Sequence, residues 1–143
     1  MHMTPDQRKH YDEHGYVVVE RALAPADLAP VIHGYEDFID VQVRRLYQTG
    51  ALTQLHAGEP FERRLARICE QDVSIYSQID LMYCRLLGIF EFLRNDRLLD
   101  LLEGIIGPEI ICSPIQHARA KLPAGLLQNA PQADDSTRAQ IHA

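Results

Sequence analysis

The run Ser113-Pro114-Ile115-Gln116-His117-Ala118-Arg119-Ala120-Lys121-Leu122-Pro123 holds the densest set of side chains that could meet a ligand. Read as a β-strand, it places alternate side chains on opposite faces. His117, Arg119 and Lys121 then share one face, and Ala118, Ala120 and Leu122 share the other. Cationic or protonatable groups backed by small apolar ones suit a strand that lines a polar cavity and leans on a packed layer. The same alternation also describes a strand with one solvated face, so the pattern alone leaves both readings open.

Other reactive residue types are present without the spacing that chemistry requires. The seven histidines, His2, His10, His14, His33, His56, His117 and His142, form no ligand set. His10 and His14 stand i and i+4 on an expected first helix, where an exposed position makes coincidence the simpler account. Asp37 and Asp40 fall on one helix and read as a solvated face. Arg63, Arg64 and Arg67 form a small basic cluster that Glu59, Glu62, Glu70 and Asp72 neutralise, which argues against a phosphate site. The chain has no Gly-rich phosphate loop, Cys-x-x-Cys, His-Glu-x-x-His or nucleophile elbow. Cys69, Cys84 and Cys112 are odd in number, far apart and set among apolar neighbours, as expected of buried free thiols in a reducing, cytoplasmic setting.

Composition narrows the classes further. A chain of 143 residues holds one domain with a real core, and 46% hydrophobic with 24% charged residues is ordinary for a globular protein. The net charge of −6 argues against a general nucleic-acid or membrane-surface role. Apolar runs such as Leu86-Leu87-Gly88-Ile89-Phe90 are far short of a membrane span, and the N-terminus has no secretory pattern.

The elements that would position the opening stretch follow in order. Thr4 as N-cap, Pro5 at the first helical position and Gly15 as the stop define a short first helix. Tyr16-Val17-Val18-Val19-Glu20 is the strongest strand signal of the N-terminal half. A long amphipathic helix follows from Ala24 to Gly50, kinked at Pro30 or starting after it. Phe61, Leu65, Ile68 and Cys69 mark a short amphipathic helix with Glu62, Arg63, Arg64 and Arg67 on its polar side. From Asp72 to Asn95 apolar residues recur at helical spacing over so much surface that this helix is expected to be buried on more than one side. Within it, Gly88 permits a close helix approach or a bend. Asp96 caps a last helix ended by Gly104 or Gly107 and Pro108, and Glu109-Ile110-Ile111-Cys112 reads as a short strand leading into the opening stretch. Residues 1–127 form the domain, and 128–143 read as a polar, disordered tail.

This order carries a resemblance. The entry Tyr11-Asp12-Glu13-His14-Gly15-Tyr16-Val17-Val18-Val19, the helix opening at Leu23-Ala24-Pro25-Ala26-Asp27-Leu28, the segment from Leu98-Leu99 to Gly107-Pro108 and the ending Lys121-Leu122-Pro123 resemble the N-terminal half of the phytanoyl-CoA dioxygenase family, over roughly residues 6–125. Members are iron(II)- and 2-oxoglutarate-dependent oxygenases that hydroxylate small organic substrates. They fold as a double-stranded β-helix, or jelly roll, buttressed by N-terminal helices. The resemblance implies an α+β chain, a helical layer plus the first strands of an incomplete jelly roll, with Lys121 contacting 2-oxoglutarate. Strand alternation adds His117 and Arg119 as substrate-facing candidates.

The departure from the family pattern is at the metal. Where the family reads Ala-Pro-Trp-His-Gln-Asp, this chain reads Ala130-Pro131-Gln132-Ala133-Asp134-Asp135. Ala133 stands in for the ligand His, Asp135 is left as a doubtful remnant, and His142 has no Asp after it at the required spacing. The His-x-Asp…His set that would hold iron is therefore missing, and a barrel of about eight strands has only two or three. The expectation is a truncated or frame-shifted family member, inactive, with neither iron(II) nor 2-oxoglutarate bound and no catalytic residue. The alternative is a non-catalytic helical interaction module. In either case the unpaired edge of an unfinished sheet is expected to drive self-association.

Overall fold

A computed structural model describes residues 2–126, and the expectations for Asp135, His142 and the polar tail lie outside them. Among the described residues six helices follow one another: α1 (Pro5–His14), α2 (Pro25–Gln48), α3 (Phe61–Cys69), α4 (Ile75–Gln78), α5 (Leu87–Phe92) and α6 (Asp96–Ile106). None of the described residues is in a strand, which overturns the expected α+β class and its first jelly-roll strands. Tyr16–Val19, Glu109–Cys112 and Ile115–Pro123 carry no regular structure. The β-branched and aromatic residues at the first two sites satisfy propensity, but a strand also needs a ladder partner, and propensity does not supply one. With no sheet among the described residues, the sheet edge expected to drive self-association has no basis there. No helix is long and apolar enough to cross a membrane among these residues.

The described residues divide into two compact units, 2–34 with 86–114, and 35–85 with 115–126. In the first unit, the ends of α1 follow local chemistry. Thr4 accepts the Gln7 amide while the Gln7 side chain accepts the Thr4 amide at 2.9 Å, a reciprocal cap. Gly15 closes the helix at φ 77°, a conformation that would strain a residue with a Cβ. Arg8 reaches the C-terminal end of α6, donating to the Gly104 and Ile105 carbonyls. The cap of α6 is Asn95, not Asp96: its side-chain oxygen accepts the amides of Arg97 and Leu98 at 3.0 and 3.1 Å. α2 is continuous through Pro30, so the helix does not begin after it. Gly88 lies against the Pro30–Val31 backbone of α2, the close approach that only a residue without a Cβ permits.

Asp27 ties the start of α2 to the start of α6. It accepts the Ala24 amide at 2.7 Å and the Asn95 side-chain amide at 2.9 Å, with Arg97 at 3.7 Å. The Ala24 amide foremost, then the Asn95 side chain, hold its carboxyl below the usual range against the opposing effect of burial, and the Arg97 charge adds to this. A depressed folded-state pKa contributes stability that is complete above the unfolded value of about 3.9, and is lost as pH falls through the folded value. Urea midpoints measured from pH 6 to pH 2.5 should therefore fall more for the wild type than for Asp27→Asn.

The second unit holds a small, fully formed core. Ile39 and Val43 of α2 meet Leu52 of the turn after α2, Ile68 and Cys69 of α3 and Ile75 of α4, with Val43, Ile68 and Ile75 each 0% exposed. The single long helix expected from Asp72 to Asn95 is broken. Asp72 and Asp80 turn back on the backbone, accepting the amides of Ser74 and Met82 at 2.8 and 2.9 Å. These local bonds offer the chain a turn in place of a helix. Met82 and Tyr83, expected on a buried stripe, are consequently exposed.

Candidate functional site

A cavity of about 880 Å³ opens within the second unit. One wall is α3, contributing Phe61, Arg63, Leu65, Ala66 and Arg67. The floor comes from Tyr35 and Ile39 of α2 together with Ile79, and the opposite wall is the extended run Ala118–Pro123. The amphipathic spacing of α3 explains its double role. Ile68 and Cys69 enter the core, while Arg63 and Arg67, one turn apart, stand side by side on the cavity flank.

The extended run shows the expected alternation without being a strand. Gln116, Ala118, Ala120 and Leu122 are partly buried, whereas His117, Arg119, Lys121 and Pro123 are exposed. Leu122 packs on the core cluster, and the Ala120 carbonyl accepts the Tyr76 hydroxyl at 3.1 Å. Arg119 and Lys121 both line the cavity. His117 does not: its Nδ1 lies 2.9 Å from Asp80 Oδ2 and 3.2 Å from Oδ1.

The electrostatics of the cavity are uneven. Its lining carries Arg63, Arg67, Arg119 and Lys121 against Glu62 and Glu70, four cations to two anions. Arg67 is engaged with Glu70 at 3.1 Å and approaches Glu59 at 3.8 Å. Among the described residues, neither Arg63 nor Lys121 has a carboxylate within ion-pair distance. Burial pushes the Tyr35 hydroxyl up to about 12, with Cys84 and Asp80 adding to it, so it remains a neutral donor, and it reaches the Ile79 carbonyl at 3.3 Å. Burial would raise Asp80, but the Met82 amide, His117 and Arg119 together hold its carboxyl below the usual range.

Neither buried thiol is present as a thiolate near neutrality. Burial raises the thiols of Cys69, to about 11, and Cys84. Cys112, expected to be buried, is exposed. Nor do the residues at the cavity fit iron. Its lining offers two carboxylates, Glu62 and Glu70, the latter already engaged by Arg67, and His117 and Asp80 are bonded to each other outside it, whereas a facial site needs three converging donors. Among the described residues one three-donor group gathers elsewhere, in the first unit: His2 with Asp100 and Glu103 of α6, their ligand atoms within 4.8 Å of one another. Its members are largely exposed, and proximity alone does not set it apart from an ordinary acidic surface cluster.

Sequence reasoning placed Arg119 and Lys121 at the cavity and missed what faces them. Arg63 and Arg67 were legible as an i, i+4 pair, but the nearby acids made them look neutralised. The signal for Asp80 was a lone carboxylate inside an otherwise apolar run. Arg64, assigned to the polar side of α3, is 8% exposed; it pairs with Asp40 and donates to the Leu55 carbonyl at 3.3 Å. Its i, i+4 relation to Ile68 was the available clue. Set against protein-family models, curated proteins and solved structures, the chain matches none.

Proposed function

We propose that the chain binds a small organic carboxylate in the cavity of its second unit, without metal chemistry. The observation that carries this reading is the pair of cations without carboxylate partners among the described residues, Arg63 on α3 and Lys121 on the extended run, both lining a largely apolar cavity. A cavity of this size, mostly apolar with a few polar groups, is typical of small-molecule sites. Its cations supply the charge complement of a carboxylate, Arg63 through a planar fork and Lys121 as a point charge. The resemblance to the phytanoyl-CoA dioxygenase family supports the same assignment, since it pairs Lys121 with the dicarboxylate 2-oxoglutarate. Among the described residues no three metal donors converge at the cavity, and this reading therefore assigns the carboxylate the part of a bound ligand.

Calorimetric titration with 2-oxoglutarate and with decanoate tests the proposal. At least one should bind with a stoichiometry of one. Lys121→Ala should weaken that binding about tenfold, the equivalent of roughly 1.4 kcal/mol, with Arg63→Ala acting in the same direction. Absence of binding by both probes, or equal binding by the doubly substituted chain, would overturn it.

A further inference from the structure

The wall of the cavity that carries Arg119 and Lys121 is not held as secondary structure is held. From Ala118 to Pro123 it forms no ladder with a second segment among the described residues, and an isolated extended segment has no intrinsic stability. It is nevertheless registered, by three contacts that all belong to the second unit. Leu122 inserts against the core cluster. The Tyr76 hydroxyl donates to the Ala120 carbonyl at 3.1 Å, and His117 Nδ1 meets Asp80 at 2.9 Å. The last two originate in one short stretch, α4 and the turn after it, and that turn is itself braced. Asp80 Oδ1 accepts the Met82 amide at 2.9 Å, and the Ile79 carbonyl accepts the Tyr35 hydroxyl of α2 at 3.3 Å. The two polar anchors straddle Arg119: one acts two residues before it and the other at the residue after it. A backbone fixed on both sides of Arg119, with Leu122 seated beyond Lys121, has little freedom to present either cation anywhere but at the cavity. Side-chain flexibility alone would not achieve this, because a drifting backbone moves both head groups together.

We propose that Tyr76 and Asp80 are positioning residues: they strap the 116–123 segment in a single register and so aim Arg119 and Lys121 into the cavity. The inference rests on the carboxylate reading of that cavity for its purpose, though not for its geometry. Neither residue touches the ligand; each acts through the strap, and the net strength of a neutral or charge-assisted hydrogen bond sets the scale of each effect.

Limited trypsin digestion provides the test, because the bonds after Arg119 and Lys121 lie within the strap. Cleavage there reports how often the segment leaves its register when opening is fast relative to cutting. In Tyr76→Phe these two bonds should be cut about fivefold faster than in the wild type, and in Asp80→Asn about tenfold faster. Cleavage after Arg94 and Arg97 should be unchanged. The same variants should bind whichever of decanoate or 2-oxoglutarate the wild type binds about five- to tenfold more weakly, with an unaltered far-ultraviolet spectrum. Unchanged cleavage at Arg119 and Lys121 in both variants would overturn the strap, whatever the ligand results. If neither carboxylate bound the wild type while the strap bonds still became labile, the carboxylate reading would fall and the strap would stand. Accelerated cleavage at all sites alike would mean general unfolding and would also overturn the positioning role.

Discussion

Substituting Gly88 with Ala is expected to destabilise the first unit by about 3 kcal/mol, the upper end of the cost of overpacking. Gly88 sits in the first turn of α5 against the backbone of α2. A Cβ at this position would lie 2.5 Å from the Pro30 carbonyl carbon, closer still to its oxygen, and 3.0 Å from the Val31 nitrogen. Backbone atoms within a continuous helix cannot rotate aside as a side chain would, so α5 must back away from α2 and surrender its contacts. The gain in helix propensity from Gly to Ala, about 1 kcal/mol, is too small to offset this. Gly34 is the internal control, since a Cβ there meets Leu86 at an ordinary 3.6 Å. Gly34→Ala lies in the interior of α2, where the propensity gain is unopposed, and is expected to stabilise by up to about 1 kcal/mol. Urea denaturation of the two variants, followed by circular dichroism, should therefore give shifts of opposite sign.

The second large effect lies beneath the cavity wall. Arg64 leaves its α3 neighbours at the surface and buries its guanidinium, paired with Asp40 and bonded to the Leu55 carbonyl, while its Nε has no partner among the described residues. Its side chain is 9% exposed whereas that of Asp40 is 42% exposed, so the desolvation cost falls mainly on the arginine. Removing the carboxylate leaves that cost uncompensated, and Asp40→Ala should lower stability by about 2 kcal/mol, below the 3–5 kcal/mol of a fully enclosed pair because water reaches Asp40. Arg64→Met removes charge and desolvation penalty together and keeps the aliphatic stem against the core, so it should cost less than about 1 kcal/mol. The ordering, Asp40→Ala worse than Arg64→Met, separates this account from one in which the ion pair is simply a favourable contact. Denaturant midpoints of the two single variants and the double variant decide it.

Much of the helical architecture was legible because helix ends are local. Thr4, Pro5, Gly15 and Gly107 act through groups within four residues of themselves, and those boundaries lie where such chemistry puts them. Strands are different. Tyr16–Glu20, Glu109–Cys112 and the opening run have the composition of strands, but pairing is a relation between distant segments and composition does not encode it. The run from Gln116 to Pro123 illustrates the distinction. Its alternation of partly buried and exposed residues is real, yet a tyrosine hydroxyl and a leucine side chain hold it where a neighbouring strand was expected. For the same reason Arg119 and Lys121 were found at the cavity while Arg63, Tyr76 and Asp80, which come from other parts of the chain, were not. The long helix expected after Asp72 failed through a local competitor, the Asp80 side chain, whose turn outbids helical spacing over four residues.

The central claim, that the second unit receives a carboxylate between α3 and the strap, is tested most directly by following backbone amide resonances during titration with 2-oxoglutarate and, separately, decanoate. The account predicts saturable shifts concentrated in Phe61–Arg67 and Ala118–Leu122, lost in the Lys121→Ala chain. Shifts confined to α1 or α6, or no saturable change with either carboxylate, would contradict it.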